Sequence, residues 1–315
     1  MTPADITDTP GGGSAHGPVA MTDLRHRPPS GLSDIDEAVD SAEAAARASR
    51  THVRSLESLA DLAAVQRLYE QIWRPDGQNA PVTTELLRAM AKAGNYVGGA
   101  FAGGELVGAC VGFFGAPASQ ALHSHIAGVS AAARGRNVGF VIKAHQRAWA
   151  LLRGVREIAW TFDPLVARNA YFNIAKLAAE PVEYLTNFYG PMNDGINGAD
   201  DSDRLLISWP LNSTDVAAAC RGTHRTAEPA ALRAAVPALA RSASGAAVAA
   251  MSRTAPTLLV AVPADIEAMR AADPRLAASW RGAVRDVLGG LLAEGARVRG
   301  FDRAGNYVVE REEKP

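Results

Sequence analysis

The order of strand and helix patterns between residues 51 and 212 constrains the fold of this 315-residue chain more than any other feature. Alternating apolar runs predict strands and apolar residues at helical spacing predict helices, in the order β-α-α-β-β-β-α-β-α-β-β. Antiparallel hairpins come first and β-α-β units follow, whereas a doubly wound sheet would alternate throughout. The order therefore predicts an α/β fold in which one mixed sheet carries helices on both faces.

The segments on either side of this predicted domain differ from it in composition. Residues 1–50 begin with a stretch rich in Pro, Gly, Ser and Thr, and we expect this N-terminal segment to be disordered. Residues 33–50 could form a short helix capped by Ser33, but their composition gives it no strong apolar face. Residues 213–254 are rich in Ala, Ser and Arg and predict a linker with one weak helix. Residues 255–315 predict a small α/β unit whose core is too small to be strong alone. We expect it to dock on the main domain or on the second subunit of a homodimer.

Charge and cysteine content exclude several classes of function. The net charge of −1 lacks the excess of Lys and Arg that binding to nucleic acid or to an anionic membrane requires. The two cysteines have no metal-ligand spacing, so we expect no metal site and a reducing compartment. The sequence has no apolar run of membrane-spanning length and no signal pattern at its start, which predicts a cytoplasmic protein.

A basic loop, RGRNVG at residues 134–139, lies between a predicted strand and a predicted helix. Unpaired N–H groups at a helix start, the positive end of the helix dipole and two guanidinium groups together make a pyrophosphate site. The loop is neither a Walker loop nor a dinucleotide fingerprint. Taken alone, the motif is equally consistent with an ordinary turn whose arginines are solvated. The helix after it has one apolar stripe, which predicts that Lys143, Gln146 and Arg147 face outward.

The elements around this loop carry a family resemblance. The segments HIAGVS, RGRNVG, EIAWTFDP and ARNAYFNIAKL follow one another in this order. Over residues 51–211 the chain resembles the GNAT superfamily of acyl-CoA-dependent N-acetyltransferases. YLTNFYGPMNDGIN and SDRLLISWPL are similar to an uncharacterised bacterial branch of that superfamily. The resemblance implies a GNAT-like mixed sheet, acetyl-CoA as co-substrate, a small-molecule amine as acceptor and no metal.

The resemblance also implies which residues contact the cofactor. The family pattern Arg/Gln-x-x-Gly-x-Gly/Ala is matched at its ends by Arg134 and Gly139, while Asn137 replaces the central glycine. Asn tolerates left-handed backbone geometry, so we expect the loop to keep its path although the side chain adds bulk. The backbone N–H groups of this loop would bind the pyrophosphate; its residues are Arg134, Gly135, Arg136, Asn137, Val138 and Gly139. The strand before it would bind the pantetheine arm through the backbone of Ala127, Gly128 and Val129. Asn169 would contact the cofactor from the later helix.

Acyl transfer to an amine needs a base, oxyanion stabilisation and a proton for the thiolate. His123 and His125 lie on one face of the strand before the loop, and imidazoles titrate near neutral pH, so they are the candidate bases. They are equally consistent with a structural pair. The position at which the family places a general-acid tyrosine is apolar here, and Tyr171 is out of register.

Further polar residues are candidates with ordinary structural alternatives. Asp163 could orient the amine or cap the next helix. Tyr189 could donate a proton or only pack against its neighbours. Asp194 and Asn197 lie in a loop that could cover the acceptor site or form plain turns.

Two functions from different classes remain open on the sequence. The first is an enzyme that transfers an acyl group from coenzyme A to an amine. The second is a catalytically degenerate acyl-CoA-binding or regulatory module. Asn137 and the missing tyrosine favour the module, and Arg134, Gly139 and Asn169 favour the enzyme without excluding binding alone.

Overall fold

A computed structural model gives the structure of the protein and describes residues 33–74, 81–190, 200–250 and 254–311. Seven strands form the first sheet: β1 (His52–Ser55), β2 (Tyr96–Ala102), β3 (Glu105–Phe114), β4 (Ala121–Val129), β5 (Glu157–Phe162), β6 (Glu180–Leu185) and β7 (Arg204–Pro210). The helices of this half are α1 (Ser33–Ser49), α2 (Leu59–Trp73), α3 (Thr84–Lys92), α4 (Val138–Leu151), α5 (Ala167–Ala170, continued as a π-helical turn through Lys176) and α6 (Thr214–Cys220).

The first sheet is mixed, as its sequence predicts. Its strand order is β1-β2-β3-β4-β5-β7-β6, and every neighbouring pair is antiparallel except β4 with β5. The helices α2 and α3 cover one face through residues such as Leu62 and Leu87, and α4 covers the other through residues such as Val141. Side-chain oxygens of Ser58 and Thr83 cap α2 and α3 at their N-termini. The predicted α/β architecture and element order are confirmed over residues 51–212.

The segment before β1 contains a helix where the sequence predicts disorder. Residues 1–32 lie outside the described part of the chain, but Ser33–Ser49 form α1. Ala38, Ala42 and Ala46 share one face of this helix and are buried against α4. Three alanines carry little apolar surface, so they give a weak sequence signal, yet their small size allows two helices to approach closely. The prediction of disorder is therefore wrong for residues 33–49.

The prediction that Lys143, Gln146 and Arg147 of α4 face outward is also wrong, because α1 packs on the side of α4 that the sequence predicts to be exposed. Every residue of α4 except Gly139 is buried, including Lys143, Gln146 and Arg147. Arg147 forms an ion pair with Glu37 of α1 at 2.8 Å and donates from Nε to the Leu211 carbonyl. Lys143 and Gln146 face the sheet instead. A helix enclosed on both sides needs polar partners for its polar side chains, and α4 finds them in α1 and β4.

A second sheet includes residues that the composition assigned to a linker. Its strands lie in the order β11-β12-β10-β8-β9. The elements are α7 (Pro229–Ala234), β8 (Val236–Arg241), β9 (Ala247–Ala249), β10 (Thr257–Ala261), α8 (Ile266–Ala272), α9 (Pro274–Val284, continued through Gly289), α10 (Gly290–Ala293), β11 (Arg297–Phe301) and β12 (Asn306–Glu310).

The linker prediction fails because β8 pairs in parallel with β10, a pairing between distant residues that composition cannot indicate. After residue 255 the structure has the strands β10, β11 and β12 and the helices α8, α9 and α10, as a small α/β unit requires. The second sheet and its helices contact the first sheet beside β6, where the Tyr184 ring lies 3.3 Å from the position of a Cβ on Gly289.

None of the helices in the described ranges combines the length and apolar character that crossing a membrane requires.

Candidate active site at the separation of two parallel strands

The only parallel pair of the first sheet, within the described residues, opens partway along its length. Residues 121–123 of β4 pair with residues 157–159 of β5, and pairing stops after His123 and Ala159. β4 continues to Val129 and β5 to Phe162, so the strands diverge. We call this gap the fork. Its diverging edges leave backbone N–H and C=O groups that an extended ligand can pair with, because such groups demand partners.

A β-bulge lies at the closed end of the fork. On β3, Val111 faces Ile126 and the next residue, Gly112, faces Ser124, so His125 has no partner on that strand. Bulges re-aim side chains and are common beside active sites. The ring centroids of His123 and His125 lie 6.2 Å apart, and both rings pack against Phe113. The structure thus brings the two predicted base candidates together.

Both imidazoles are held in their neutral form at pH 7. Burial lowers the pKa of His123, and the nearby charges of His125 and Lys143 lower it further. Burial alone accounts for the lowered pKa of His125. A neutral imidazole can accept a proton, so this environment is compatible with a general base.

The open end of the fork meets the basic loop. Arg134 and Arg136 are exposed, and Gly135 and Asn137 have φ angles of 79° and 62°. The left-handed geometry expected for Asn137 is therefore present. Its carbonyl accepts from the N–H groups of Phe140 and Val141, while the first two N–H groups of α4, those of Val138 and Gly139, have no acceptor within the helix.

The start of α4 has little side-chain bulk beside it. A Cβ on Gly139 would sit 3.8 Å from the Phe172 ring and 3.9 Å from Val129, so a methyl group would just fill the space between α4, β4 and α5 and a larger side chain would not fit. A Cβ on Gly135 would meet nothing within 4 Å. Exposed guanidinium groups and open N–H groups form the donor set that a diphosphate requires.

The other two predicted catalytic residues occupy different settings. Tyr189 lies in the turn after β6, 40% exposed, and its hydroxyl is 3.0 Å from Thr161 Oγ1 on β5. Thr161 is two residues beyond Ala159, the partner of His123, so Tyr189 lies on the same sheet face as the histidines. Asn169 is exposed in the first turn of α5. Asp194 and Asn197 lie outside the described residues.

Asp163 is not free to orient an amine. Its carboxylate accepts two parallel hydrogen bonds from Arg281 at 2.8 and 2.9 Å and one from Arg270 at 2.6 Å. It also accepts from the Leu165 N–H, as a turn residue. Burial raises the pKa of Asp163, but the hydrogen bonds and charges of the two arginines outweigh that effect and hold the pKa well below its usual range. The prediction of a catalytic Asp163 is wrong, because the carboxylate joins β5 to α8 and α9.

A polar cluster on the α4 side of the fork was not predicted from the sequence. Lys143 Nζ donates to Ser124 Oγ at 3.0 Å and to Gln146 Oε1 at 2.8 Å, and it lies 3.6 Å from the centroid of the Trp160 ring. Cys110 Sγ is 3.4 Å from Ser124 Oγ. The available signal was weak: Ser124 lies directly between His123 and His125 on β4, and a single small polar residue there does not indicate a polar cluster facing α4. Among the described residues, no group of three His, Cys, Asp or Glu side chains is placed to hold a metal ion.

Comparison with known proteins finds similarity at the level of structure only. No protein-family model matches the chain, and no curated protein matches its sequence. An N-acetyltransferase from Staphylococcus aureus is 18% identical, with a TM-score of 0.42, over 51% of this chain and 98% of its own. A ribosomal-protein-S5-alanine acetyltransferase from Vibrio fischeri is 15% identical, with a TM-score of 0.43, over 52% of this chain and 94% of its own. A candidate acetyltransferase from Salmonella typhimurium, solved with its cofactor acetyl-CoA, is 13% identical, with a TM-score of 0.42, over 52% and 95%.

The mixed sheet and the loop that enters α4 agree with the GNAT-like mixed sheet that the sequence resemblance implied. Residues 52–210 form one mixed sheet with helices on both faces.

Proposed function

We propose that the protein transfers an acyl group, most simply acetyl, from acyl-CoA to the amine of a small molecule. The observation that carries the proposal is the fork. At its open end, α4 begins after a basic loop that turns at Gly135, and at its closed end lie two neutral histidines. An extended thioester with a diphosphate at one end suits an open strand edge that has a basic loop at one end.

The open end of the fork supplies the binding contacts. The N–H groups of Gly135, Asn137, Val138 and Gly139 hold the diphosphate, assisted by the guanidinium groups of Arg134 and Arg136, whose own backbone N–H groups donate to backbone carbonyls. The unpaired edge of β4 at residues 127–129 pairs with the amides of the pantetheine arm, as a neighbouring strand would. The side chain of Asn169 contacts the cofactor from α5. Acyl-CoA, when bound, supplies a thioester carbonyl at the closed end.

The closed end of the fork supplies the base. His123 or His125 takes the proton from the acceptor ammonium group, so that the amine can attack the thioester carbonyl directly. Phe113 and Tyr189, on the same face of the sheet, form aromatic walls for a small acceptor. These walls carry no carboxylate among the described residues, which favours an acceptor amine attached to an apolar or aromatic group.

Calorimetric titration with acetyl-CoA, followed by thiol release with a panel of amines, tests the proposal. We expect binding at micromolar concentration and turnover with at least one small amine. Binding without turnover would support the degenerate binding module instead. A protein that does not bind acetyl-CoA at all has neither function.

A matched pair of variants tests the placement of the diphosphate. Gly139→Leu fills the gap between Phe172 and Val129, so we expect acetyl-CoA affinity to fall at least about tenfold. Gly282→Leu places the same side chain on α9, where a Cβ meets nothing within 4 Å, and should leave affinity unchanged. Equal acetyl-CoA affinities for the two variants would show that the diphosphate does not bind at the start of α4.

A further inference from the structure

A buried amine stands at the point where β4 and β5 separate. Ser124 and Trp160 are the first residues of their strands after the last paired residues, and Lys143 contacts both: the amine donates to Ser124 Oγ and lies over the Trp160 ring. The side chain of Lys143 reaches this point from α4, which forms the floor of the fork. Its residue is 4% exposed, so the contacts are fixed by packing.

The surroundings of Lys143 do not neutralise its charge. It faces Cys110 from β3, Ser124 from β4, Trp160 from β5, Trp209 from β7 and Gln146 from its own helix. None of these described neighbours is a carboxylate. His123, on the opposite face of β4, is neutral, and burial raises the pKa of the Cys110 thiol, so it carries no charge either. Burial lowers the pKa of Lys143 to about 8.

A second buried group beside the amine lacks a partner. Gln146 is fully buried, and its Oε1 accepts from Lys143 while its Nε2 has no hydrogen-bond partner among the described residues. Native proteins rarely leave a buried donor unpaired unless a ligand or water completes it. Two donors, Lys143 Nζ and Gln146 Nε2, are therefore held together on the α4 side of the closed end of the fork.

We propose that Lys143 is the proton donor to the departing sulfur in acyl transfer. This inference rests on the proposed function. The amine nitrogen of the acceptor forms a bond to the thioester carbonyl carbon, the carbon–sulfur bond breaks, and its electron pair goes to sulfur. The ammonium group of Lys143 gives one proton to that sulfur, while a histidine of the fork takes one from the acceptor nitrogen. The histidine then releases its proton to solvent, and Lys143 takes one up from solvent. The products of the overall reaction are an amide and a thiol.

This assignment fills a role that the sequence leaves open. A thiolate that leaves a thioester needs a proton, and α4 offers an amine at the point where β4 and β5 separate. A donor that titrates near pH 8 suits proton transfer to a thiolate better than an exposed lysine would, because its proton is held less firmly.

The first test replaces the amine by an apolar chain of similar length. In Lys143→Met we expect kcat to fall about 10²-fold to 10³-fold while the Kd for acetyl-CoA stays within about threefold. The fall of wild-type kcat above pH 8 should disappear in the variant. Lys92→Met, at an exposed position of α3, should behave as wild type. A Lys143→Met enzyme that binds acetyl-CoA and keeps kcat within threefold would overturn the assignment and leave the proposed function intact.

The second test uses the unmodified chain and needs no turnover, so it decides the matter even if Lys143→Met does not fold. The side chain ¹³Cε signal of Lys143 is followed by NMR during titration with coenzyme A and with desulfo-coenzyme A. We expect a shift with coenzyme A that desulfo-coenzyme A does not reproduce. Identical responses to the two ligands would show that the amine does not touch the sulfur. Failure of both to bind would remove the proposed function and this inference together.

Discussion

Asn137 shows how a single backbone geometry links the loop to its proposed ligand. Its φ of 62° turns the chain so that the following N–H groups point out from the start of α4. The side chain makes no capping hydrogen bond, so backbone geometry is its main contribution.

We predict that Asn137→Val lowers the free energy of unfolding by about 1–2 kcal/mol, because a β-branched residue is strained in the left-handed region. Asn137→Gly should stay within about 0.5 kcal/mol of wild type, since glycine adopts this geometry freely. Urea denaturation measures both. Arg136→Val, at a neighbouring position without positive φ, is the control. A loss of equal size in Arg136→Val would mean that β-branching, and not φ, is responsible.

The two histidines predict the acid side of the pH profile. Because their pKa values are lowered below 6.5, both are neutral at pH 7 and become protonated only as the pH falls through the lowered values. Activity should therefore be level at pH 7 and decline only once the pH falls below 6.5, through the lowered pKa values. In the double variant His123→Ala/His125→Ala we expect kcat/KM at pH 7 to fall about 10²-fold and this decline to vanish.

The control for the histidine pair is His52→Ala, which removes an exposed imidazole from β1. A double variant with full activity would remove the base assignment. So would a variant with reduced activity but an unchanged acid limb, since a lost base must alter the titration.

For single residues, the sequence predicts the roles of exposed side chains better than the roles of buried ones. The histidine pair and Asn137 follow from strand alternation and from the intrinsic preferences of asparagine. Lys143 and Asp163 could not be assigned, because their roles depend on partners that approach from other elements. A lysine on a helix is usually solvated, and an aspartate before proline usually caps a helix.

At the scale of elements, α1 determines how much of α4 can be buried. The alanine face of α1 packs on α4, and Glu37 reaches Arg147, whose residue is 1% exposed. Removing α1 would expose an apolar helix side and leave a buried guanidinium without its carboxylate.

We expect Ala42→Leu to destabilise the protein by about 1–3 kcal/mol, because three additional carbon atoms do not fit between two helices in close contact. Ala44→Leu adds the same atoms at an exposed position of α1 and should change stability by less than about 0.5 kcal/mol. Thermal unfolding of the two variants gives the comparison. If Ala42→Leu were as stable as Ala44→Leu, α1 would not pack on α4 in solution.

Strand and helix order could be read from the sequence wherever the apolar pattern was strong. The prediction failed for α1 and for β8, and both failures have the same cause. Alanine-rich segments such as VPALAR carry little periodicity, and β8 becomes a strand only by pairing with β10. Tertiary pairing outweighs local preference in such segments.

At the scale of the whole molecule, arginines of the second half neutralise aspartates of the first. Arg281 and Arg270 bind both Asp163 and Asp200, and Arg285 binds Asp203 at 2.7 Å. These pairs are buried or half-buried, so breaking one leaves an uncompensated charge.

Asp163→Asn should therefore lower the free energy of unfolding by about 3–5 kcal/mol. The pKa of Asp163 is depressed in the folded protein, so its contribution is complete above the unfolded value near pH 4 and is lost as the pH falls further. Wild-type stability should consequently drop below pH 4, and the drop should be smaller in Asp163→Asn. Urea denaturation from pH 7 to pH 2, followed by tryptophan fluorescence, measures both effects.

Glu105→Gln, which removes an exposed carboxylate at the first residue of β3, is the matched control for Asp163→Asn. It should leave both the stability at pH 7 and its acid dependence unchanged. An Asp163→Asn protein as stable as this control would show that the ion pairs do not form in solution.

The same ion pairs can form only late during synthesis on the ribosome. Arg270 and Arg281 follow Asp163 by 107 and 118 residues, so the strand that carries the carboxylate emerges long before its partners. At about 5–20 residues per second, the wait is roughly 6–24 seconds. During that interval the nascent first sheet holds an unneutralised aspartate at the end of β5. Final consolidation of the proposed acyltransferase half therefore comes late, after translation of the segment that locks it.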